Sequence, residues 1–486
     1  MDPPEENRNI LQSPSDHNVR YGSIGSLHRE NFKVYKRRWY ILLVFFMCST
    51  LNGLKWNTWS PIQGTSRVVF GWSDTTITLL VTWGPIVFVV VFLPMSWLMD
   101  VKGLRASVLL LAVVNFIAAG LQAIPLSNLQ IQTWLAHLGA IFNSIGGPVA
   151  MALGPLISAV WFPPHQRTTS TAIASLAPYV GTGLAFIIGP LLVPDVGNHS
   201  STIGKSIDYI KLRNNMSHKQ LVYLKEQVMH LMYIELAAAA LILLIIIVYF
   251  PKKPKLPPSV TATVDRLDFK YGFKRLMFNK QFWLLLFISG VTLGVYSGWV
   301  SILDLNLSQF GMGEKTAGWL GFGASMTGIA AGIFLSILAD HVSRHMKAIQ
   351  FVLLVGAAVS YALFTFMCAG IIPYCKAVLF LTFILGGFFT NGSIPLFFEM
   401  AVETAYPVAE GITSGFLTIS CNVLLLVFYI FPLLPKFGLK WINWCTFATY
   451  AACIPLLALW QERYYRSEVD DQGKAGVINS INSASQ

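Results

Sequence analysis

The sequence predicts an all-α membrane protein with twelve transmembrane helices, divided into two related six-helix halves. Three observations support this prediction. The 486-residue chain is 54% hydrophobic and only 12% charged, whereas a soluble domain carries about 25% charged residues. Apolar stretches of about 20 residues, each long enough to cross a bilayer as a helix, begin near residues 40, 76, 105, 133, 170, 230, 281, 316, 348, 377, 411 and 441. Because backbone groups in lipid must be hydrogen-bonded internally, we expect these stretches to form a helical bundle.

The third observation is an internal repeat at an offset of 240 residues. "FGWSDTT" at 70–76 then falls on "FGMGEKT" at 310–316. The same offset superimposes two further pairs, Asp100 with Asp340 and Trp59 with Trp299. One offset that serves several separated places indicates two parallel repeats related by a pseudo-two-fold axis. This is the architecture of major-facilitator transporters, which place their substrate between the halves near the membrane midplane.

The net charge of +11 is distributed as in a membrane protein and does not indicate binding to a nucleic acid. Most of the 34 Lys and Arg fall on the side that holds both chain ends, so the positive-inside rule predicts that both termini are cytoplasmic. We therefore expect no nucleic-acid partner, and residues 1–30 lack the apolar segment of a signal peptide. The expected sections are a cytoplasmic tail (1–38), a first bundle (39–250), a basic linker (251–280), a second bundle (281–462) and a second cytoplasmic tail (463–486).

Sequence patterns of enzymes and metal sites are missing. The chain has no GxxxxGK[ST], HExxH or GxSxG pattern. Its six cysteines lie mostly in predicted spans and show no metal-binding spacing. We expect neither catalytic residues nor a cofactor or metal.

The stretch "NGLKWNTWSPIQ" at 52–63 places polar and aromatic residues in predicted span 1. On a continuous helix, four of them share an arc of about 60°, and the repeat adds an equivalent face in span 7. Such a face can stack a flat ring or surround an ammonium group by cation–π attraction. We expect Trp59 and Trp299 to face each other across one cavity, lined by Trp59, Asn52, Trp56, Gln63, Tyr296, Trp299 and Asn391.

Two alternatives remain for these residues. Tryptophans can mark the membrane interface, and a lone asparagine such as Asn391 can be an interhelical hydrogen bond. Lys55 could face the cavity or snorkel outward.

Uphill transport requires a coupled ion, and a buried carboxylate or histidine can carry protons. The candidates are Glu235, Asp304, Glu399 and His137. The sequence does not choose among them, and Glu399 could instead belong to a structural network with Glu403.

The loops after predicted spans 2 and 8 carry acidic and basic residues at repeat-related places. We expect a gating latch across the cytoplasmic face that holds one alternating-access state, formed by Asp100, Arg105, Asp340 and Arg344. The alternative is that these are ordinary charged loop ends.

Several motifs together resemble one group of carriers. "WNTWSPI", "FGWSD", "WFPPHQRTTSTAIAS" and "FFEMAVETAYPVAEGITSG" resemble the feline leukaemia virus subgroup C receptor related transporters of the major facilitator superfamily, over nearly all of 35–462. "WNTWSPIQ" with Ile394–Glu399 is most similar to the lysosomal branch, which is disrupted in renal carcinoma. The resemblance implies transport of small organic solutes. The wider group handles choline, ethanolamine and haem, and the lysosomal branch is associated with proton-driven pyridoxine movement. By position, Trp59 matches the family's aromatic residue in span 1.

Short motifs outside the spans also suggest a lysosomal membrane protein. "EENRNIL" places Glu6 four residues before Ile10 and Leu11, the form of an acidic dileucine signal that a clathrin adaptor would read. Asn198 and Asn215 begin glycosylation sequons on the predicted non-cytoplasmic side.

We therefore expect a lysosomal secondary transporter, performing proton-coupled export of pyridoxine (vitamin B6). The alternatives are a choline/ethanolamine or haem carrier of the same fold at the plasma membrane, and a non-transporting membrane scaffold.

Overall fold

The structure is a computed structural model that describes residues 32–194, 196, 209–262, 269–301, 314–341, 345–430 and 440–471. The first half contains α1 (Arg37–Asn57), α2 (Gln63–Phe70), α3 (Asp74–Trp97), α4 (Leu104–Gln122), α5 (Leu129–Ile145), α6 (Gly147–Ala152), α7 (Gly154–Trp161), α8 (Arg167–Leu192), α9 (Tyr209–Asn215) and α10 (His218–Val248). The second half contains α12 (Lys280–Ser301), α13 (Glu314–His341), α14 (Met346–Cys368), α15 (Lys376–Ala405), α16 (Glu410–Ile430) and α17 (Lys440–Leu459). Between them, α11 (Phe269–Phe278) lies within the predicted linker.

The spans agree with the prediction of a twelve-helix membrane protein. Eleven segments of the described chain are long and apolar enough to cross a membrane. The twelfth expected span is α1, which is 21 residues long but has a lower hydropathy because Asn52, Lys55 and two arginines lie in it. Predicted spans 1–6 are thus α1, α3, α4, α5 with α6, α8 and α10, and spans 7–12 are α12–α17.

Local sequence signals explain where several of these helices begin and break. Ser73 caps α3 by accepting a hydrogen bond from the Thr76 backbone N–H, and Ser217 with Gln220 forms a capping box at the start of α10. The helical run that starts at α5 is interrupted twice, where Pro148 and Pro155 each occupy the first turn of a new helix. This run is therefore three consecutive helices, α5, α6 and α7.

Within the first half, α1 and α8 approach so closely that only glycine fits at the contact. A Cβ atom on Gly53 would lie 2.0 Å from the Pro178 carbonyl oxygen, and one on Gly181 would lie 1.9 Å from the Thr50 carbonyl oxygen. Small residues allow this kind of backbone approach between membrane helices. The second half uses the same device between α12 and α16, where a Cβ on Gly294 would lie 2.7 Å from the Cys421 carbonyl oxygen.

The two halves meet through repeat-related helix pairs. Helix α3 packs on α16, and α8 packs on α13. In the first pair, the rings of Phe92 and Phe416 lie 5.1 Å apart. In the second pair, Gly183 lies against Met326. The interface therefore follows the pseudo-two-fold arrangement that the repeat predicts.

Candidate functional site

A small cavity lies where the halves meet. Its wall comes mainly from α1, α3, α5, α6 and α8, and α16 of the second half contributes Asn422. The polar groups on the wall are those of Asn52, Trp56, Asn143, Ser144 and Asn422, and the other described lining residues are apolar or glycine. Small-molecule pockets typically combine apolar walls with a few polar groups. The wall of this cavity has that composition, which suits an uncharged organic group.

Asparagine side chains connect three helices behind this wall. The Asn52 amide nitrogen donates to the Asn115 side-chain oxygen at 2.9 Å and to the Asn143 backbone oxygen at 2.9 Å. Asn143 donates back to the Asn52 backbone oxygen at 3.1 Å, and Asn115 donates to the Cys48 carbonyl oxygen at 3.1 Å. All three asparagines are buried. Asn52 thus both lines the cavity and joins α1 to α4 and α5, which combines the two roles that the sequence left open.

Two aromatic residues line the cavity, Phe88 and Trp56. The ring of Trp56 is held in place by its neighbours. Its indole N–H donates to the Val81 carbonyl oxygen of α3 at 2.9 Å. The ring passes directly over Gly84, where a Cβ atom would lie 2.6 Å from the indole nitrogen. A hydrogen bond at one end and a glycine beneath therefore fix the orientation of the half-buried ring.

The structure does not support the expectation that Trp59 and Trp299 face each other across one cavity. Trp59 packs edge-on against Trp72, with ring centroids 4.9 Å apart, in a core cluster of the first half. Trp299 packs in the core of the second half, where its ring stacks on Phe383 at 5.1 Å and its N–H donates to the Asn443 side-chain oxygen at 2.7 Å. Both rings are nearly inaccessible, 4% and 1% exposed.

Three other expected cavity residues also lie away from this cavity. Tyr296 and Asn391 are buried in the second half, where the Asn391 amide donates to the Tyr296 hydroxyl at 3.4 Å. Gln63 begins the separate helix α2. Of the expected set, Asn52 and Trp56 lie on the cavity wall.

Lys55 is paired rather than snorkelling outward. Its ammonium nitrogen lies 3.0 Å from a Glu235 carboxylate oxygen, and it donates to the Gln122 side-chain oxygen at 2.7 Å. Thr58 donates to the second Glu235 oxygen at 2.6 Å. The two charged side chains are 1% and 3% exposed. The cluster therefore joins α1, α4 and α10 through a charge pair inside the first half.

The remaining proton-coupling candidates are dispersed. His137 is half-buried, and its Nδ1 atom accepts a hydrogen bond from the Trp83 indole at 3.1 Å. Glu399 is buried near the end of α15 at the predicted cytoplasmic face, where the Thr171 hydroxyl donates to it at 2.5 Å. Asp304 lies outside the described residues.

Asp100 and Asp340 both contact the opposite half, but their partners differ from the expected ion pairs. Asp100 accepts hydrogen bonds at 2.8 Å from the backbone N–H groups of Gly411 and Ile412, at the start of α16. Asp340 accepts in the same way from Thr168 and Thr169, at 3.0 and 2.8 Å, at the start of α8. Each carboxylate thus caps a helix of the opposite half, where the helix dipole favours a negative charge. Arg105 is exposed, and Arg344 lies outside the described residues.

Sequence reasoning missed three buried charged groups at the same face, Arg167, Arg466 and Asp470. Arg167 lies in the "WFPPHQRTT" motif, and the other two lie in the predicted second tail. Of the short motifs, Glu6, Ile10, Leu11 and Asn198 lie outside the described residues, and Asn215 is exposed at the end of α9.

Comparison with known proteins agrees with this geometry. The family described as Major Facilitator Superfamily matches residues 41–429. The protein named "Solute carrier family 49 member 4 homolog" of Xenopus tropicalis is 36% identical over 441 residues, covering 90% of this chain and 94% of the relative. The "Choline/ethanolamine transporter FLVCR1" of Mus musculus is 28% identical over 397 residues, covering 80% and 68%.

Solved structures of similar fold are also transporters. The E. coli fucose:proton symporter FucP superimposes with a TM-score of 0.64 at 14% identity, covering 88% of this chain and 100% of that structure. The proton:xylose symporter XylE gives a TM-score of 0.64 at 14% identity, covering 87% and 99%. At this identity the likeness establishes the fold alone. With the superfamily match and the relative at 36% identity, the chain belongs to the major facilitator superfamily and, within it, to the solute carrier family 49 transporters related to the feline leukaemia virus subgroup C receptor.

Proposed function

We propose that this solute transporter exports a small, flat, uncharged solute such as pyridoxine from lysosomes, driven by protons. The observation that carries the proposal is the cavity, which combines one fixed indole ring with carboxamide and hydroxyl groups and has no charged residue among its described lining. An aromatic ligand can stack on Trp56, and stacking of this kind contributes about 0.5–1.5 kcal/mol beyond area burial. We expect the side-chain oxygens of Ser144 and Asn422, which line the same cavity, to accept hydrogen bonds from hydroxyl groups of the ligand.

The composition of the wall also argues against haem. The two carboxylates of haem would be buried against a wall without a cation, and a buried charge that lacks a partner is costly. Choline is the second candidate, because relatives are named choline/ethanolamine transporters. Trp56 could bind its ammonium group by cation–π attraction, worth about 0.5–2 kcal/mol.

The buried Lys55–Glu235 pair supports proton coupling. Ionisable groups within a membrane protein are costly, and they commonly mark proton or ion pathways. A proton that binds Glu235 would remove the counter-charge of Lys55, which lies on α1 next to Trp56 and one turn after Asn52. Proton binding would therefore act on the helix that carries two of the cavity residues.

Lysosomal location is proposed from the "EENRNIL" motif, with a clathrin adaptor as the reader of Glu6, Ile10 and Leu11. Changing Ile10 and Leu11 to Ala should bring the protein to the cell surface, where its lumenal side faces the medium.

Uptake into such cells tests the proposal. We expect uptake of labelled pyridoxine that is faster at external pH 5.5 than at 7.5, and choline uptake without this pH dependence would favour the second candidate. Trp56→Ala should weaken apparent affinity about tenfold, which corresponds to about 1.4 kcal/mol. Trp134→Ala is the matched control, because that ring is 69% exposed. If Trp56→Ala and Trp134→Ala transport equally well at equal surface expression, the cavity assignment is wrong.

A further inference from the structure

The chain after the last spanning helix turns back under the bundle. Residues 465–471 form a short helical segment, called here the terminal segment. It begins in the part of the chain predicted to be a tail, yet Arg466 is 1% exposed and Asp470 is 2% exposed. Two charged side chains so deeply buried require specific partners.

The approach to the segment is fixed to the second half. The Tyr464 hydroxyl accepts a hydrogen bond from the Met346 backbone N–H at 2.9 Å, and Glu462 accepts one from the Lys347 N–H at 2.8 Å. Both N–H groups belong to the first turn of α14, where backbone N–H groups have no partner within the helix. These two contacts provide such partners.

Glu403 of α15 then caps the terminal segment. Its carboxylate accepts hydrogen bonds from the backbone N–H groups of Arg466 and Ser467 at 3.0 and 3.2 Å, and from the Ser467 hydroxyl at 2.6 Å. The Arg466 guanidinium lies 3.7 Å from Glu399 on the same helix. The start of the segment is therefore held by the second half.

The end of the segment is held by the first half and the linker. Asp470 forms a salt bridge with Arg167 at 2.6 Å. It also accepts hydrogen bonds from the Thr261 backbone N–H at 3.0 Å and from the Thr261 hydroxyl at 2.9 Å. Arg167 itself donates to Ser259 and Thr261 at 2.5 and 2.8 Å. One short segment thus connects α8, the linker and α15.

This bridge lies beside the helix cap that Asp340 makes on α8. Arg167 directly precedes Thr168 and Thr169, whose N–H groups Asp340 accepts. The same end of α8 is therefore held twice, by Asp340 of the second half and by Asp470 of the terminal segment. The halves cannot separate at this face unless Asp470 leaves Arg167 or the segment leaves Glu403.

One contact of the bridge is weaker than the others. None of the side-chain nitrogens of Arg466 hydrogen-bonds to a described residue, although the side chain is buried. The Glu403 and Asp470 contacts are both charge-assisted, because a carboxylate is the acceptor in each. Of the two, the Arg167–Asp470 salt bridge joins the segment to the first half. The Arg167 contact is thus the link to disrupt.

We propose that the terminal segment is a removable bridge of the cytoplasmic gate, which holds the cytoplasmic side closed and must detach from Arg167 before that side opens. The proposal rests on the transport function of the family and on the cytoplasmic position of this face, but not on the identity of the substrate.

Labelling of a gate cysteine tests the proposal. Ser96 of α3 is 0% exposed, and its hydroxyl lies against Gly415 of the opposite half. Ser96→Cys should therefore react with a membrane-impermeant maleimide from the cytoplasmic side only when the gate opens. In inside-out vesicles, adding Asp470→Asn should speed this labelling roughly tenfold. Adding Glu468→Gln should leave the rate unchanged. This substitution removes the same charge from the same segment, but at an exposed position. The chain without Ser96→Cys gives the background from native cysteines.

A further variant separates gating from misfolding. Asp340→Asn should speed labelling as well, since it weakens the neighbouring attachment of α8. Size-exclusion profiles in detergent identify the variants that fold. If folded Asp470→Asn protein labels at the Glu468→Gln rate while Asp340→Asn labels faster, the segment is only docked and the proposal is overturned. The proposal is also overturned if the Asp470→Asn, Glu468→Gln and Asp340→Asn variants are labelled at equal rates. Labelling needs neither substrate nor a pH gradient, so its outcome is independent of the pyridoxine assay.

Discussion

Replacing Lys55 by Met tests whether the Lys55–Glu235 pair is a coupled unit. Removing one partner of a buried ion pair costs about 3–5 kcal/mol, because the other charge stays buried without compensation. The 1% and 3% exposure of the two side chains places this pair in that class. Lys55→Met and Glu235→Gln should each destabilise the protein by about that amount. The double variant should recover most of the loss, because no unpaired charge remains.

Thermal unfolding in detergent measures this double-mutant cycle. Lys219→Met is the control, since that lysine is exposed on the same helix as Glu235. A double variant that is as unstable as the sum of the two single variants would refute the coupling, because independent sites add. In vesicles, the double variant should still exchange substrate across the membrane but should lose stimulation by a pH gradient. Preserved stimulation would remove Glu235 from the proton pathway.

Three further predictions concern packing and the gate. Gly53→Ala should cost about 1–3 kcal/mol by overpacking, because its Cβ would lie 2.0 Å from the Pro178 oxygen; Gly120→Ala, with no atom within 4 Å of the new Cβ, should unfold at or above the wild-type temperature. Asp340→Asn should weaken the cap of α8 by about 0.3–2 kcal/mol, seen as faster cytoplasmic labelling, and an unchanged rate would contradict the latch. Burial alone would raise the pKa of Asp470, but Arg167, the Thr261 N–H and Arg466 together hold it below its usual value of 3.8. Its contribution is therefore complete above that value and lost only as pH falls through the lowered pKa. The stability difference between wild type and Asp470→Asn should stay constant from pH 5 to 8, and a change across that range would contradict the assignment.

The prediction that Trp59 and Gln63 share one helical face with Asn52 and Trp56 was wrong. It assumed one continuous helix from Asn52 to Gln63, but α1 ends at Asn57, and the chain turns through residues 58–62 before α2 begins. Residues beyond the break no longer share the face of Asn52 and Trp56. Trp59 accordingly packs with Trp72 instead of facing the cavity.

The gate shows a second limit of pattern reasoning. The repeat paired Asp100 with Asp340, and the two make equivalent contacts with the opposite half. Charge matching instead sought their partners among arginines. Both bind backbone N–H groups at helix starts of the opposite half. A backbone donor carries no residue-type signal, so the sequence contains no mark of this partner. The same is true of Glu403, which caps the terminal segment through backbone N–H groups.

The sequence by itself determined the class of fold, the spans and the related halves. Lipid imposes this result, because each crossing needs about 20 apolar residues in a helix and the repeat fixes the pairing of halves. Which side chains meet was decided only by the tertiary structure. Lys55 pairs with Glu235, which is 180 residues away in the sequence. Arg167 pairs with Asp470, which is 303 residues away. Such pairs depend on the rotation and tilt of packed helices, which hydrophobic length and period leave undefined.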